Sequence, residues 1–401
     1  MKVIVIGGGA AGFFAAINIA EKHPDYEVTI LEKSSKILQK VRVSGGGRCN
    51  VTNARAKPSE LVHFYPRGQK KLHSLFKRFT TADMVEWLEK RRVKTKAEED
   101  LRLFPITDSS QTVIDCFEKE AKKHGVNVIN NCALKSLKFT AGKWNLETTQ
   151  STMDANKVVV ATGSSSAMWN LLKETGLEIT DIVPSLFTFN IKDERIKDLQ
   201  GISFTEAQVK IAGSKLDESG PLLITHWGLS GPAILKLSSW GAYELGANNY
   251  HFDILVNFTG TLKPDEFSMH LSQYKEANPK RKVVNYPLFD LPKRFWERIT
   301  AYCEIGPGTP FGELSKKQAN KLVEELCQGK YEVTGKSTFK DEFVTAGGVD
   351  LNEINLDTFE CKRFPGLYLA GEVLNIDALT GGFNFQACWS GGWVISENIN
   401  E

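Results

Sequence analysis

Several features that this sequence lacks narrow its possible functions. No uncharged hydrophobic run approaches the about 20 residues that a membrane-spanning helix needs. Glycines interrupt the apolar N-terminal segment, which argues against a signal peptide. The 401 residues carry a formal net charge of only +2, so the overall charge does not imply nucleic-acid binding. We therefore expect a cytoplasmic protein of about two to three domains.

Motifs of several enzyme classes are also missing. The cysteines number seven and form no C-x-x-C pair, which fits reduced thiols in a cytosol better than a disulfide framework. His and Cys do not cluster as metal ligands, so no metal site is predicted. Gly228-Leu229-Ser230-Gly231 lacks the complete G-x-S-x-G motif of a hydrolase and is better explained as a strand-to-helix turn.

The segment from Lys2 to Gly12 contains the strongest motif. Its first five residues are a β-branched apolar run, typical of a buried parallel strand, and Gly7, Gly9 and Gly12 follow with the spacing G-x-G-x-x-G. This spacing suits a tight turn, a close approach of the backbone to a pyrophosphate, and close packing of the next helix. The alternative is a glycine-rich turn in an ordinary α/β core.

An acidic residue follows the next predicted strand. Glu27–Leu31 is apolar and ends on Glu32, whose carboxylate can accept hydrogen bonds from both hydroxyls of an adenosine ribose. The motif, its position between two strands and this acid together predict a dinucleotide-binding site. No second G-x-G-x-x-G occurs, so a separate NAD(P)H domain is not predicted.

A second glycine loop, Ser44-Gly45-Gly46-Gly47-Arg48-Cys49-Asn50, has the composition of a ligand loop. Three glycines free the backbone to wrap closely around a ligand, while Arg48 and Asn50 supply hydrogen-bonding groups. Cys49 is a candidate redox thiol, because a thiolate beside a flavin is reactive, but a small packing residue under the cofactor is the favoured interpretation.

With these motifs the chain resembles the BaiN-like (YhiN-like) bacterial flavoproteins, also called aminoacetone-oxidase-family FAD-binding enzymes. The resemblance covers essentially the whole chain. It extends through Arg102–Pro105, Thr225–Pro232, Thr345–Val349, Gly371-Glu372 and Thr380–Asn384. It implies FAD in the first site, and an α/β fold with a Rossmann-like FAD-binding domain of the glutathione-reductase type.

The resemblance and the chain's composition also predict the domain organisation. Residues 1–184 and 344–401 form the discontinuous FAD-binding domain. An inserted β-rich subdomain, a sheet or small barrel, covers 185–260 and 329–343, and a nested helical subdomain covers 261–328. We expect the substrate to bind between the FAD-binding domain and the insert, since domain interfaces are the usual place for pockets.

The resemblance assigns residues to the cofactor. In such folds Glu372 holds a ribityl hydroxyl, and the N-terminus of the last helix, near Asn384, stabilises negative charge on the reduced flavin. The residues expected to contact FAD are Gly7, Gly9, Ala10, Ala11, Gly12, Glu32, Lys33, Ser44, Gly45, Gly46, Arg48, Cys49, Asn50, Ala133, Thr162, Gly163, Gly371, Glu372, Gly381, Gly382, Phe383 and Asn384.

Two positions at which a side chain could donate a proton depart from the family pattern. Asn375 stands where relatives usually carry Asp, and Phe383 stands where they usually carry Tyr. No proton donor is therefore assigned at either position. His226 is a candidate acid or base, and a satisfied core histidine is an equal alternative.

Residues 59–100 are predicted to be helical and contain basic clusters, from Arg67 to Arg78 and from Lys90 to Lys96. They could form an RNA-facing patch, but neighbouring acidic residues and the absence of a recognised module favour a solvated helix face. Nucleic acid is therefore not the expected partner.

We predict a FAD-dependent oxidoreductase. The resemblance implies NAD(P)H-driven reduction of an activated, enone-type C=C bond in a small molecule, with the nicotinamide as a transient donor. The alternatives are a flavin-dependent amine oxidase, a flavin-dependent RNA-modifying enzyme, and a non-catalytic flavin-binding redox protein.

Overall fold

The computed structural model describes residues 1–337 and 344–400. These form two compact units, of which unit 1 comprises residues 1–183 and 340–401 and unit 2 comprises residues 184–339. A strand predicted over 337–344 falls mainly outside the described residues. Within those residues, every helix is too short or too polar to span a bilayer.

Up to the boundary between the units, strands and short helices alternate. The strands are β1 (Lys2–Ile6), β2 (Glu27–Leu31), β3 (Thr52–Asn53), β4 (Thr95–Ala97), β5 (Arg102–Pro105), β6 (Asn127–Ile129), β7 (Leu134–Thr140), β8 (Lys143–Thr148), β9 (Thr152–Ala155), β10 (Lys157–Val160) and β11 (Ile179–Ser185). The helices are α1 (Ala10–Lys22), α2 (Gln39–Gly47), α3 (Pro58–Leu61), α4 (Leu72–Arg78), α5 (Thr81–Lys90), α6 (Ser110–Lys123) and α7 (Ser166–Glu174).

Unit 2 and the return to unit 1 supply the remaining elements. Unit 2 contains β12 (Thr188–Asn190), β13 (Ser203–Ile211), β14 (Asp217–Ile224), β15 (Gly228–Ser230), α8 (Pro232–Trp240), α9 (Ala242–Ala247), β16 (His251–Asn257), α10 (Pro264–Ala277), α11 (Lys293–Tyr302), α12 (Lys316–Gln328), β17 (Gly329–Thr334) and β18 (Lys336–Ser337). Unit 1 resumes with β19 (Val344–Val349), β20 (Ile354–Asn355), β21 (Glu360–Cys361), β22 (Leu367–Leu369) and α13 (Phe383–Asn398).

The main sheet of unit 1 has the order β20-β21-β22-β10-β1-β2-β6, and its last five strands are parallel. The register pairs Ile6 with Leu31 and with Val160, and Val160 with Leu369. The carboxyl ends of four strands therefore meet at one edge of the sheet, where ligands bind in open α/β folds.

Helices α1 and α13 pack together on this sheet. Gly392 permits their close approach, since a Cβ there would lie 3.1 Å from the Ala15 nitrogen. The Phe14 ring lies among those of Phe79, Trp87 and Trp389, with centroids 5.0–5.4 Å away. This aromatic core holds the N-termini of both helices near the ligand edge.

Unit 2 is built on an antiparallel sheet with the order β17-β16-β13-β14-β15-β12-β18. Its buried residues, including Phe204, Phe258 and Phe295, form a core of their own. The long helices α10–α12 fall in the segment predicted to be helical. Helix α8 follows the strand-to-helix turn predicted at Gly228–Gly231, whereas helix α9 was not predicted.

In unit 1, one prediction about local structure was wrong and one helix was missed. Residues 95–97 form strand β4, paired with β5, although the segment up to residue 100 was predicted to be helical. The segment before the second glycine loop forms helix α2, although no helix was predicted there. The spacing of apolar residues also predicts a helix over Ser110–His124 that ends at Gly125. Helix α6 confirms it, and Gly125, with φ of +71°, follows its end.

Candidate active site

The first glycine turn combines two packed glycines with one open position. A Cβ on Gly7 would lie 2.4 Å from the Ala161 oxygen, and a Cβ on Gly12 would lie 1.9 Å from the Gly7 oxygen. A Cβ on Gly9, in contrast, would meet no atom within 4 Å. Gly7 and Gly12 are therefore needed for packing, while Gly9 borders open space at the N-terminus of α1. This space suits a pyrophosphate, because the first-turn N–H groups of a helix have no intrahelical acceptor.

Glu32 is oriented by the backbone around it. Its Oε2 accepts the Gly8 N–H at 2.9 Å and its Oε1 accepts the Ser34 N–H at 2.8 Å. Each carboxylate oxygen has two lone pairs, so both can still accept a ribose hydroxyl. The neighbouring Lys33 is exposed. Both residues remain predicted FAD contacts.

The second glycine loop forms where α2 breaks. Ser44 has an extended ψ of 144°, and Gly45, Gly46 and Gly47 follow with φ of +58°, +68° and +85°. A Cβ on Gly46 or Gly47 would meet nothing within 4 Å, whereas a Cβ on Gly45 would lie 2.7 Å from the Phe104 ring. The loop thus rests on Phe104 through Gly45 and presents bare backbone to open space.

Arg48 contacts the residues that support this loop. Its guanidinium lies 4.0 Å from the Phe104 ring centroid and donates to Glu98 Oε1 at 2.5 Å. Arg48 Nε also faces the Gly45 carbonyl at 3.3 Å. These contacts fix the loop's shape, and a direct contact of Arg48 with FAD remains a prediction.

Cys49 is completely buried and has a φ of +63°. Burial raises the pKa of its thiol to about 12, so the thiol stays protonated at neutral pH. A protonated, buried sulfur is a poor nucleophile, which favours the packing interpretation over a redox thiolate.

The glycine loop continues into contacts with the C-terminal motif. The Asn50 amide oxygen accepts the Gly382 N–H at 2.9 Å, and its NH₂ group donates to the Thr52 carbonyl at 3.0 Å. Asn53 donates to the Gly381 carbonyl at 3.1 Å. A Cβ on Gly382 would lie 2.5 Å from the Thr52 oxygen, so only glycine fits there.

Glu372 lies at the same edge of the sheet. Its side chain is 11% exposed, and its carboxylate pairs with Lys40 and accepts the Ser164 hydroxyl at 3.3 Å. A Cβ on Gly163 would lie 3.6 Å from Glu372 Oε2. The hydroxyl of Thr162 is buried there, and no described residue bonds it. This unsatisfied hydroxyl and the open glycine backbones fit a polar ligand at this edge.

The N-terminus of α13 is shaped by Gly382, with φ of +87°, and by Asn384. The Asn384 side chain accepts the Ala378 N–H at 2.9 Å and donates to the Ala378 carbonyl at 3.1 Å, which closes the preceding loop. Phe383 stacks on Phe64 with centroids 4.2 Å apart. Asn384 thus shapes the loop with its side chain and leaves the helix amides to face a ligand.

Ala133, where the family resemblance implies a backbone contact with the adenine of FAD, already uses its backbone groups. Its N–H donates to Thr149 Oγ1 at 3.0 Å and its carbonyl accepts the Thr149 N–H at 2.9 Å. An adenine at this position would have to use the remaining lone pair of the carbonyl.

A buried ion pair lies near the N-terminus of α13. It was not predicted from the sequence. Arg67 pairs with Asp377 through two hydrogen bonds, and Asp377 is fully buried. Nearby, the Tyr65 hydroxyl donates to the Phe383 carbonyl at 2.6 Å. Arg67 belongs to a run of basic residues and Asp377 lies 310 positions away, so no local pattern connects them.

Half of the ten cations in the basic segment 67–96 form ion pairs with carboxylates. Arg91 is within 2.5 Å of Glu21 and 3.2 Å of Glu120, and Lys90 pairs with Glu86 at 2.7 Å. Arg78 pairs with Glu397 at 2.7 Å. Arg67 and Arg91 are thus held in ion pairs and do not belong to a solvated helix face.

His226 lies in unit 2, in the turn between β14 and β15. It is exposed, as is Trp227 beside it, at 58%. The interpretation of His226 as a buried core histidine was therefore wrong, and its role as an acid or base remains a prediction. At the end of β15, Ser230 is buried and accepts the Thr188 hydroxyl at 2.9 Å, and α8 begins at Pro232, which confirms the strand-to-helix packing role.

Comparison with known proteins identifies the family. The pattern of the HI0933-like protein Rossmann domain matches residues 1–398. The chain belongs to this family. Two relatives that match this chain over nearly its whole length are named for different activities. A ribosomal RNA dihydrouridine synthase of Escherichia coli K12 is 28% identical over 99% of this chain and 97% of that protein. A 3-dehydro-bile acid delta(4,6)-reductase of Clostridium scindens is 25% identical over 100% of this chain and 99% of that protein.

A solved structure shares the HI0933-like fold. The 3-ketosteroid-delta4-(5alpha)-dehydrogenase from Rhodococcus jostii RHA1 matches with a TM-score of 0.52 and 11% identity, over 98% of this chain and 97% of that chain. The predicted fold class, a Rossmann-like FAD-binding domain with additional antiparallel sheets, is confirmed. The family is one of FAD-dependent oxidoreductases.

Proposed function

We propose that this protein uses FAD to reduce a C=C bond conjugated to a carbonyl group, with NAD(P)H as the electron donor. The observation that carries the proposal is that relatives matched from end to end are named for the same bond chemistry. In uridine the C5=C6 double bond is conjugated to the C4 carbonyl. In dihydrouridine this bond has been reduced to a single bond. A reductase of a 3-oxo steroid skeleton likewise saturates C=C bonds conjugated to a carbonyl.

The reaction balances with one donor molecule and one proton. Bound FAD would supply the two-electron carrier between NAD(P)H and the substrate. The substrate's β-carbon gains a hydride, its α-carbon gains a proton, and NAD(P)H is oxidised to NAD(P)⁺. The protein therefore has to hold the cofactor, stabilise charge and position the substrate.

The residues at the sheet edge suit the first two tasks. The backbone at Gly9 and the N-terminus of α1 would bind the pyrophosphate, and Glu32 would bind the adenosine ribose. Glu372 would bind the ribityl chain. The positive end of the α13 dipole would stabilise negative charge on the pyrimidine side of the flavin.

Two substrate classes share this chemistry. A small enone is favoured by the likeness to the bile-acid reductase, and a uridine in RNA is favoured by two relatives named ribosomal RNA dihydrouridine synthase, at 28% and 26% identity. An RNA substrate is thus supported more strongly by the names of these relatives than by the basic residues of segment 67–96.

The proposal is tested by anaerobic rapid mixing of the purified yellow protein with NADH and, separately, NADPH. We expect one of them to bleach the visible flavin absorbance. The reduced protein is then mixed with 4-androstene-3,17-dione or with a ribosomal RNA transcript. We expect one substrate to restore the absorbance and to gain two hydrogens, measured by mass spectrometry.

The outcomes separate the alternatives. Bleaching without reoxidation by either substrate would contradict C=C reduction. If neither nicotinamide bleached the flavin and amines in air produced peroxide, the protein would be an amine oxidase. A protein that cannot be reconstituted with FAD would contradict the assignment of the site.

A further inference from the structure

A basic loop in unit 2 differs from the basic segment 67–96. Lys280, Arg281 and Lys282 follow α10 after Pro279, and all three side chains are exposed. We call residues 280–282 the KRK loop. Three consecutive cations on an exposed loop produce a local positive potential, although the molecule as a whole is nearly neutral.

The backbone of the KRK loop is held in place. The Phe311 N–H donates to the Arg281 carbonyl at 2.8 Å, and the Val283 N–H donates to the Thr309 carbonyl at 3.0 Å. Lys282 also forms an isolated β-bridge with Pro310. Since Val283 is fully buried directly after the loop, the three cations project from an anchored base.

The charges of the KRK loop are not neutralised within the protein. Among the described residues, no carboxylate oxygen lies within 4 Å of the side-chain nitrogens of Lys280, Arg281 or Lys282. Glu276 and Asp290 are the acidic residues nearest to the loop in sequence, and neither forms such a pair. The basic segment 67–96, in contrast, pairs several of its cations with carboxylates. Unpaired cations can release counterions when they bind phosphates, whereas paired ones first have to break an ion pair.

Aromatic rings accompany these cations. The Arg281 guanidinium lies 4.7 Å from the ring centroid of Tyr286, which is 40% exposed, and donates to the Tyr274 hydroxyl at 3.1 Å. Guanidinium planes and aromatic rings are the surfaces on which unpaired RNA bases stack. Exposed cations beside a stacking surface are typical of single-stranded RNA recognition.

We propose that the KRK loop and Tyr286 bind the RNA that carries the uridine substrate. This inference rests on the RNA branch of the proposed function and assigns to unit 2 the task of holding the RNA. The cations bind backbone phosphates, and Arg281 and Tyr286 stack on an unpaired base. A small enone has neither group and makes no use of this surface.

The test compares two matched triple variants. In one, Lys280→Gln, Arg281→Gln and Lys282→Gln are combined; in the control, Lys90→Gln, Arg92→Gln and Lys94→Gln remove the same charge from the basic segment of unit 1. Binding of a ribosomal RNA transcript is measured by filter retention over a series of salt concentrations. Flavin absorbance and melting temperature show that both variants are folded and loaded.

We expect the KRK variant to bind RNA on the order of tenfold more weakly at low salt, and its plot of log K against log salt to become shallower by about two to three units. The control should stay within about twofold of the wild type. Tyr286→Leu should weaken binding severalfold without changing the salt slope, because stacking releases no counterions.

Other outcomes would overturn the inference. These are an unchanged affinity of the KRK variant, a larger loss in the control, equal binding of a DNA duplex, or no RNA binding by the wild type at low salt. Bleaching of the flavin by NAD(P)H and reoxidation by an enone are measured on the same samples. They report on the proposed function alone, so the failure of one proposal is distinguishable from that of the other.

Discussion

Single residues at the sheet edge divide into those that shape the protein and those that leave room for a ligand. Gly12 belongs to the first kind, because its Cβ position is occupied by the Gly7 oxygen. Gly9 belongs to the second, because its φ of −94° and ψ of −167° are open to any residue and its Cβ would enter free space. The two glycines of one motif should therefore respond differently to substitution.

Gly9→Val should leave the fold intact and abolish FAD retention, since the new side chain would occupy the place of the pyrophosphate. Gly12→Ala should destabilise the protein by about 3 kcal/mol or more, because the backbone itself would have to move. Flavin absorbance after gel filtration measures retention, and denaturant unfolding of the FAD-free proteins measures stability. Stoichiometric FAD in Gly9→Val would contradict the assignment of the first turn.

At the scale of elements, the second glycine loop, the segment before α4 and the N-terminus of α13 form one cluster of contacts. Thr52 donates to Gln386 at 2.6 Å, and the Trp389 indole donates to the Val51 carbonyl at 2.9 Å. The Arg67–Asp377 pair closes the same cluster from the other side. The loops predicted to hold the flavin are thus ordered by contacts between distant parts of the chain.

Breaking the Arg67–Asp377 pair should be costly. Asp377→Asn would leave the Arg67 charge buried without its counter-charge, and we expect a loss of about 3–5 kcal/mol in the free energy of unfolding. The double variant Arg67→Met, Asp377→Leu should recover most of this loss, since no buried charge remains. Denaturant unfolding measures both. A single variant as stable as the wild type would show that the pair does not brace the loops.

For the molecule as a whole, the buried thiols link stability to pH. Burial raises the pKa of Cys49 and Cys388 in unit 1 and of Cys303 in unit 2 to about 12, and that of Cys327 to about 11. Each of these thiols has a higher pKa in the folded protein than in the unfolded chain. Between the two pKa values the thiol is protonated in the folded protein and ionised in the unfolded chain. The folded state is then disfavoured as pH rises above the ordinary thiol value.

We expect the free energy of unfolding to fall between pH 9 and about 12, by up to about 1.4 kcal/mol per pH unit for each fully buried thiol. Urea unfolding at a series of pH values measures this slope. The variant Cys49→Ala, Cys388→Ala is the control and should give a shallower slope. An identical slope in the control would assign the alkaline loss to other groups, such as the buried Tyr65, whose pKa burial also raises.

Local patterns in the sequence determined much of this protein. The G-x-G-x-x-G turn, the strands beside it and the amphipathic helix from Ser110 follow from glycine geometry and hydrophobic periodicity, which act over a few residues. The same holds for the helices of unit 2 between residues 264 and 328. These features were predicted because each depends on neighbours in the chain.

Only the tertiary structure determines which cations form ion pairs with carboxylates. Arg67 and Arg91 look like surface cations in the sequence and are paired with distant carboxylates, whereas Lys280, Arg281 and Lys282 form no ion pair within the described part of the chain. It also decided that the Cys49 thiol is protonated and that His226 is exposed. Ion pairing and burial depend on residues tens to hundreds of positions apart, and the free energy of a charge depends on what folding places around it.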